Sequence, residues 1–249
     1  MAVWVATDLH GNYNLWAQIK AFLKEDDTLI YLGDAIDRGD RGFEIFMELL
    51  DDERVCYLRG NHEQIMYDAF NSIGDFREKM FDNWTCKDNG GQLTLKNMHS
   101  LKEIPFEEKK KYIDKIFNLP FYAEYENDIG IKFFLCHAGA TPGNYFNNMD
   151  EDRKRDKLLW DRNHFNFPWP NDKKLANTVV VHGHTPILLM KQLYGYNASG
   201  LAPLVYESNH KVNLDAATPS TGLAFLYNLD TLDYELFTDG SIYNYTKEE

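Results

Sequence analysis

Positive charge is scarce in this chain. Of its 249 residues, 26 are Lys or Arg against 39 Asp or Glu, a formal net charge of −13 at pH 7. That balance argues against a general nucleic-acid scaffold, whose phosphate contacts need Lys and Arg in excess. Cysteine is scarce too: Cys56, Cys86 and Cys136 are widely spaced, odd in number and without a CxxC pair. They exclude a disulfide framework and suit a reduced, cytoplasmic protein. No apolar run approaches the ~20 residues of a membrane helix. The opening Met1-Ala2-Val3-Trp4-Val5-Ala6-Thr7-Asp8 lacks the basic region of a secretory signal. Repeats, low-complexity tracts and linkers are also missing, so the expectation is a single domain over residues 1–249. One problem is left standing. A phosphate substrate would approach a net-repulsive protein unless something local reversed the sign.

What is present is an ordinary globular balance, 44% hydrophobic and 26% charged. Residues 3–6, 29–32 and 55–58 read as short buried strands, while 15–23 and 43–50 carry helical spacing. Strand, helix, strand, helix, strand with short connections is the pattern of βαβ units. Residues 63–120 read as a helical insertion packed over one side of the sheet, and 131–135 and 179–181 as further strands. Aromatic and β-branched runs beyond about residue 193 predict a β-rich C-terminal part that makes a second sheet.

The chemistry lies just past the strands. Asp8, His10, Asp34, Asn61, His137 and His184 each follow a predicted strand end, where open α/β sheets bind ligands. All six are oxygen or nitrogen donors. Such a mixed set suits divalent ions of the manganese, iron or zinc kind, whereas calcium wants oxygen alone. Six donors exceed the needs of one tetrahedral zinc and suffice for two ions if a carboxylate bridges them. Taken singly, an Asp beside a Gly turn is more often a cap. The run Gly33-Asp34-Ala35-Ile36-Asp37-Arg38-Gly39 changes the balance, because its five fixed positions arise by chance on the order of 10⁻⁴.

The set resembles the phosphoprotein phosphatase branch of the calcineurin-like metallophosphoesterases, in its bacterial and bacteriophage form. The family motifs GDxHG, GDxVDRG, GNHE, HGG or HAG, and GHT face Thr7-Asp8-Leu9-His10-Gly11, the 33–39 run, Gly60-Asn61-His62-Glu63, His137-Ala138-Gly139 and Gly183-His184-Thr185. Thr7 replaces a glycine and Ile36 a valine. The resemblance implies an α/β (α+β) fold, a four-layer αββα sandwich of two mixed sheets flanked by helices. It implies two divalent ions, manganese first, with iron, zinc, cobalt or nickel as alternatives. Asp8, His10 and Asp34 would hold one ion, and Asp34, Asn61, His137 and His184 the other. Arg38 and Arg162, the second within Leu158-Leu159-Trp160-Asp161-Arg162, would bind phosphate together with Asn61 and His62. His62, oriented by Asp37, would be the general acid.

Physical chemistry agrees with those roles. Two divalent cations would supply the positive charge that the composition lacks. A guanidinium fork matches phosphate oxygens, and an alkoxide leaving group needs a proton donor near neutral pH. The implied reaction is metal-dependent hydrolysis of phosphomonoesters by a water activated between the ions. The substrate would be a phosphorylated serine or threonine in protein, or a small phosphate ester, with no membrane partner and nucleic acid disfavoured. The alternative is a symmetrical dinucleoside-polyphosphate hydrolase or a broad small-molecule or nucleotide phosphatase, against which Asp37 and Glu63 weigh. A nucleic-acid phosphodiesterase would carry a second histidine where Pro186 stands. A non-catalytic relative would have lost a ligand or His62. Arg59 reads as a structural ion pair, Glu63 as a helix cap or arginine partner, and His182 as packed behind the site. Trp160 and Trp169 read as core or rim.

Overall fold

The computed structural model describes residues 1–140, 150–166, 168–208 and 210–241. Strand β1 (Val3–Ala6) leads to α1 (Tyr13–Phe22), β2 (Thr28–Tyr31), α2 (Gly42–Asp51) and β3 (Val55–Tyr57). Four helices follow: α3 (Asn61–Asn71), α4 (Asp75–Thr85), α5 (Gly91–Ser100) and α6 (Phe106–Lys115). Then come β4 (Tyr122–Glu126), β5 (Lys132–Cys136), α7 (Glu151–Trp160), β6 (Thr178–His182) and α8 (Ile187–Tyr194). The last elements are β7 (Leu204–Tyr206), β8 (Lys211–Asn213), α9 (Thr218–Thr221), β9 (Leu223–Asn228) and β10 (Tyr234–Thr238).

The strands make two five-stranded sheets, ordered β10-β9-β1-β2-β3 and β4-β5-β6-β8-β7. Each contains a parallel trio, β1, β2 and β3 in the first and β5, β6 and β8 in the second. The remaining strands join antiparallel. Side chains alternate between the two faces of a strand, and that alternation sorts the core into layers. Val3, Val5, Ile30, Phe133, Leu135 and Val181 meet between the sheets. The opposite faces of β1 and β2, through Ala6, Leu29 and Tyr31, pack on Trp16, Phe46, Met66, Trp84, Met98 and Ile113 of α1 to α6. On the far side Phe134, Cys136 and Val180 pack on Leu158 of α7. Helices, sheet, sheet and helices form four layers.

One expectation is corrected. The C-terminal strands β9 and β10 do not build the second sheet; they pair onto β1 and complete the first. The reason is visible in β9, which is apolar on both faces. Tyr227 enters the layer between the sheets, while Ala224 and Leu226 enter the helix-covered layer. Such a strand belongs inside a sheet. The second sheet instead begins at β4, which pattern reading passes over. Its Tyr-Ala-Glu-Tyr-Glu sequence exposes Tyr122, Glu124 and Glu126 along an edge, the charged manner in which edge strands avoid further pairing.

Candidate functional site

All six parallel strands end at one place. Asp8 and His10 follow β1, Asp34 follows β2, and Asn61 and His62 open α3 after β3. His137 follows β5, His184 follows β6, and Asp215 follows β8. The backbone here is unusual. Asp8, His10, Asp34, Asp37, Arg38 and His184 all have positive φ, between 44° and 67°. Left-handed non-glycine residues cost of order 1–3 kcal/mol each and persist only where surroundings dictate them. Close approach also dictates Gly183, where a Cβ would stand 2.0 Å from Asp8 Oδ2.

Asp34 is the centre of the arrangement. Its Oδ2 lies 3.6 Å from His10 Nε2, 3.5 Å from His137 Nε2 and 3.8 Å from His62 Nε2. Two groups of ligating atoms share it: His10, Asp34 and His62, and Asp34, His137 and His184. Asp8 Oδ1 stands 3.9 Å from His10 Nε2, while its Oδ2 accepts from Thr7 Oγ1 and from the His184 N–H. His10 and His137 donate from Nδ1 to the Ile36 and Leu32 carbonyls, which turns each Nε2 into the site. Asn61 Oδ1 faces both His137 Nε2, at 2.8 Å, and His184 Nδ1, at 2.9 Å. The six predicted donors are brought together, and His62 joins one group beside its expected role.

The residues expected to face phosphate surround this centre. The exposed Arg38 guanidinium donates to His10 Nε2 and His62 Nε2, each at 3.1 Å. Arg162 is held from behind by Thr185 Oγ1 and the His184 carbonyl. His62 Nδ1 donates to Asp37 Oδ2 at 2.7 Å. Asp37 also accepts from Trp84 Nε1 and Thr94 Oγ1. Burial pushes the Asp37 carboxyl up to about 8, against the pull of Thr94, Trp84 and Arg38. A cleft of about 340 Å³ opens beside His10 and Arg38, bordered by Asn12, Arg41, Thr218 and Asp239.

The donor chemistry fits divalent ions. Burial, then Glu63 and Asp8, push the Asp34 carboxyl well above its ordinary range. Burial also pushes His10, His62 and His184 well below theirs, and lowers His137. Neutral imidazoles offer lone pairs, and a clustered carboxylate awaits positive charge. His184 Nε2 is buried with no hydrogen-bond partner among the described residues.

Residues 1–215 match the sequence profile of the calcineurin-like phosphoesterases. This chain belongs to that family. Among relatives of this phosphoesterase are the serine/threonine-protein phosphatases 2 of Escherichia coli and Salmonella typhimurium. The first is 29% identical over 64% of this chain and 66% of its own length. The second is 30% identical over 64% of this chain and 67% of its own. The chain thus spans about two thirds of the curated relatives it matches. Among solved structures, a proposed diadenosine tetraphosphatase superposes with a TM-score of 0.56 at 15% identity, covering 97% of this chain and 94% of that one. A Saccharomyces cerevisiae serine/threonine phosphatase reaches 0.54 at 15% identity, over 98% and 82%. At that identity the likeness is one of fold.

Some residues of this phosphoesterase have parts that spacing alone does not disclose. Glu63 is a cap, its Oε2 accepting the Gly60 and Asp34 N–H groups. It goes further, for Oε1 accepts from Ala35 N and Tyr57 OH. The cap was readable as Gly-x-x-Glu before a helix; the brace on Asp34 was not. Asp215 was missed because β8, Lys-Val-Asn, has a single apolar residue and so no apolar run to mark the strand end before it. It is buried, and burial and Asp8 push its carboxyl well up. Arg59 bonds Gln64 Oε1 and the Phe117 carbonyl and has no ion pair among the described residues. His182 packs behind the site on Tyr206 OH. Trp160 is an exposed rim residue edge-on to His184, and Trp169 stacks on His210. The loop after His137, a candidate specificity element, runs into 141–149, outside the described residues.

Proposed function

We propose that this phosphoesterase is a metal-dependent phosphomonoesterase, acting as one domain on phosphoserine and phosphothreonine in protein. The observation that carries this reading is Asp34, one carboxylate shared by two buried ligand groups beneath Arg38 and the His62–Asp37 pair. The bacterial relatives named serine/threonine-protein phosphatase support the substrate class. Asp8, His10 and Asp34 would hold one ion, and Asp34, Asn61, His137 and His184 the other. Manganese is the first choice for this nitrogen and oxygen set. When bound, such a pair lowers the pKa of water and offsets charge on phosphate.

The chain supplies the rest. Arg38 and Arg162, on opposite sides of the ligand cluster, grip phosphate oxygens with fixed forks. Asn61 and His62 complete the substrate contacts. His62 keeps its Nδ1–H on Asp37, and once Arg38 has turned from Nε2 to the phosphate, the imidazolium form donates its Nε2–H to the departing oxygen. The cleft beside Arg38 accommodates the part of the substrate beyond that oxygen. The test is hydrolysis of phosphopeptides, nucleotides and diadenosine polyphosphates, with manganese and with a chelator. Phosphoserine and phosphothreonine peptides should be turned over fastest, and only with metal. Preference for diadenosine polyphosphates, or full activity under chelation, would overturn the reading.

A further inference from the structure

Beyond α3, the helices over the first sheet touch the His62–Asp37 pair where α4 gives way to α5. We propose that this junction is a clamp that positions the proton-donating pair, with Trp84 and Thr94 as its positioning residues. The proposal rests on the phosphomonoesterase reading above.

The need for a clamp follows from the backbone. Asp37 and Arg38 are consecutive non-glycine residues at φ 67° and 62°. Asp37 is also fully buried, so its carboxylate cannot rely on solvent for partners. Left alone, it would swing toward the adjacent Arg38 and leave His62. Thr94 prevents this with a two-bond ring: its Oγ1 accepts the Asp37 N–H at 2.8 Å and donates to Oδ1 at 2.8 Å. The Trp84 indole N–H is shared between Oδ1, at 3.1 Å, and Oδ2, at 3.2 Å. That leaves the remaining edge of Oδ2 for His62 Nδ1 at 2.7 Å. The backbone is held as well, the Arg38 N–H donating to the Gly90 carbonyl at 3.4 Å. Gly91 lets the turn close on the indole, since a Cβ there would stand 2.4 Å from Trp84 Nε1.

Packing alone does not account for the polar atoms. The Trp84 ring is buried beside Phe70 and Phe81, and a phenyl ring would occupy much of that space without a nitrogen. Thr94 is fully buried, where a valine would fill the same volume. Both polar atoms converge on one carboxylate, and that carboxylate orients His62.

The variants are therefore Trp84→Phe, Thr94→Val and the conservative Thr94→Ser. Rates are compared for a phosphoserine peptide, whose leaving group needs a proton, and p-nitrophenyl phosphate, whose leaving group is stable as an anion. At matched metal content, Trp84→Phe and Thr94→Val should lose ~10-fold more kcat on the peptide than on the aryl ester, a share of the ~10²–10⁴ that general acids contribute. KM should hold, and Thr94→Ser should retain the wild-type ratio. Equal losses on both substrates, or none, would sink the clamp. A second measurement needs no turnover. In metal-free protein the His62 Nδ1 proton, hydrogen-bonded to Asp37, should resonate far downfield and exchange slowly. In Thr94→Val it should move upfield or exchange faster while the backbone amide spectrum is retained. An unmoved resonance refutes the proposal, and this readout stands alone if Trp84→Phe does not fold. Should wild-type protein cleave neither ester, the functional reading falls and the resonance still decides the clamp.

Discussion

A single carboxylate carries unequal weight at this site. Asp34 lies within reach of His10, His62 and His137 through one oxygen, whereas Asp8 approaches only His10 among those three. Asp34→Asn should therefore lower bound metal by nearly two ions per chain, and Asp8→Asn by about one, the arithmetic of a bridged pair. Elemental analysis of protein dialysed against manganese checks this; equal losses in the two variants would contradict the bridge. Residues of this kind were legible in the sequence because each sits in a short fixed motif after a strand. Trp84 and Thr94 were not, since 47 and 57 positions separate them from the carboxylate they hold. No local pattern encodes a partner at such a distance. Arg59 was misjudged in kind, because Glu63 stands four residues along the chain while the guanidinium bonds the amide of Gln64 and a carbonyl.

Elements were legible where apolar residues run together along the chain. β1, β2, β3, β5 and β6 were readable as apolar runs, and residues 63–120 as a helical insertion. β4, half charged, and β7 and β8, three residues each, were not. Pairing across the molecule was beyond reach altogether, because β9 finds β1 through more than two hundred residues of chain. At this scale the first turn of α3 ties elements together. Fully buried Glu63 accepts from Gly60 and Asp34 through one oxygen, and from Ala35 and Tyr57 through the other. Glu63→Ala strands four buried donors, each worth ~1–3 kcal/mol if left unmade. Water entering the gap will recover part. A loss of about 3–5 kcal/mol and a fall in Tm of roughly 10 °C should appear in calorimetry. A fall below a couple of degrees would mean that the capping network matters little.

Across the whole molecule the net charge of −13 hides buried groups of the opposite sign. Lys211 on β8 is buried, donates to the His164 carbonyl, and is pushed down to about 8 by burial, with Glu207 and Asp161 pulling it back up. Below pH 8 the folded and unfolded states hold this proton equally, and the burial cost is constant. Between about 8 and the ordinary lysine value the unfolded chain binds more protons, so this group's contribution to stability rises with pH. Denaturant unfolding of wild type and Lys211→Met should show the variant's relative stability falling across pH 8 to 10. A difference independent of pH would place the lysine's titration elsewhere.

The order in which the strands lie also sets an order in time. β1 precedes its second neighbour β9, residues 223–228, by more than two hundred residues. The candidate ligands divide likewise, Asp8 to Asn61 after strands of the first sheet and His137 and His184 after strands of the second. Synthesis at ~5–20 residues per second means that a growing chain carries half a site for many seconds. During that interval it has the first carboxylates and imidazoles but lacks the second sheet that closes over them. The candidate site is complete only once His184 has emerged, so a product cut short before β6 should hydrolyse no phosphate ester.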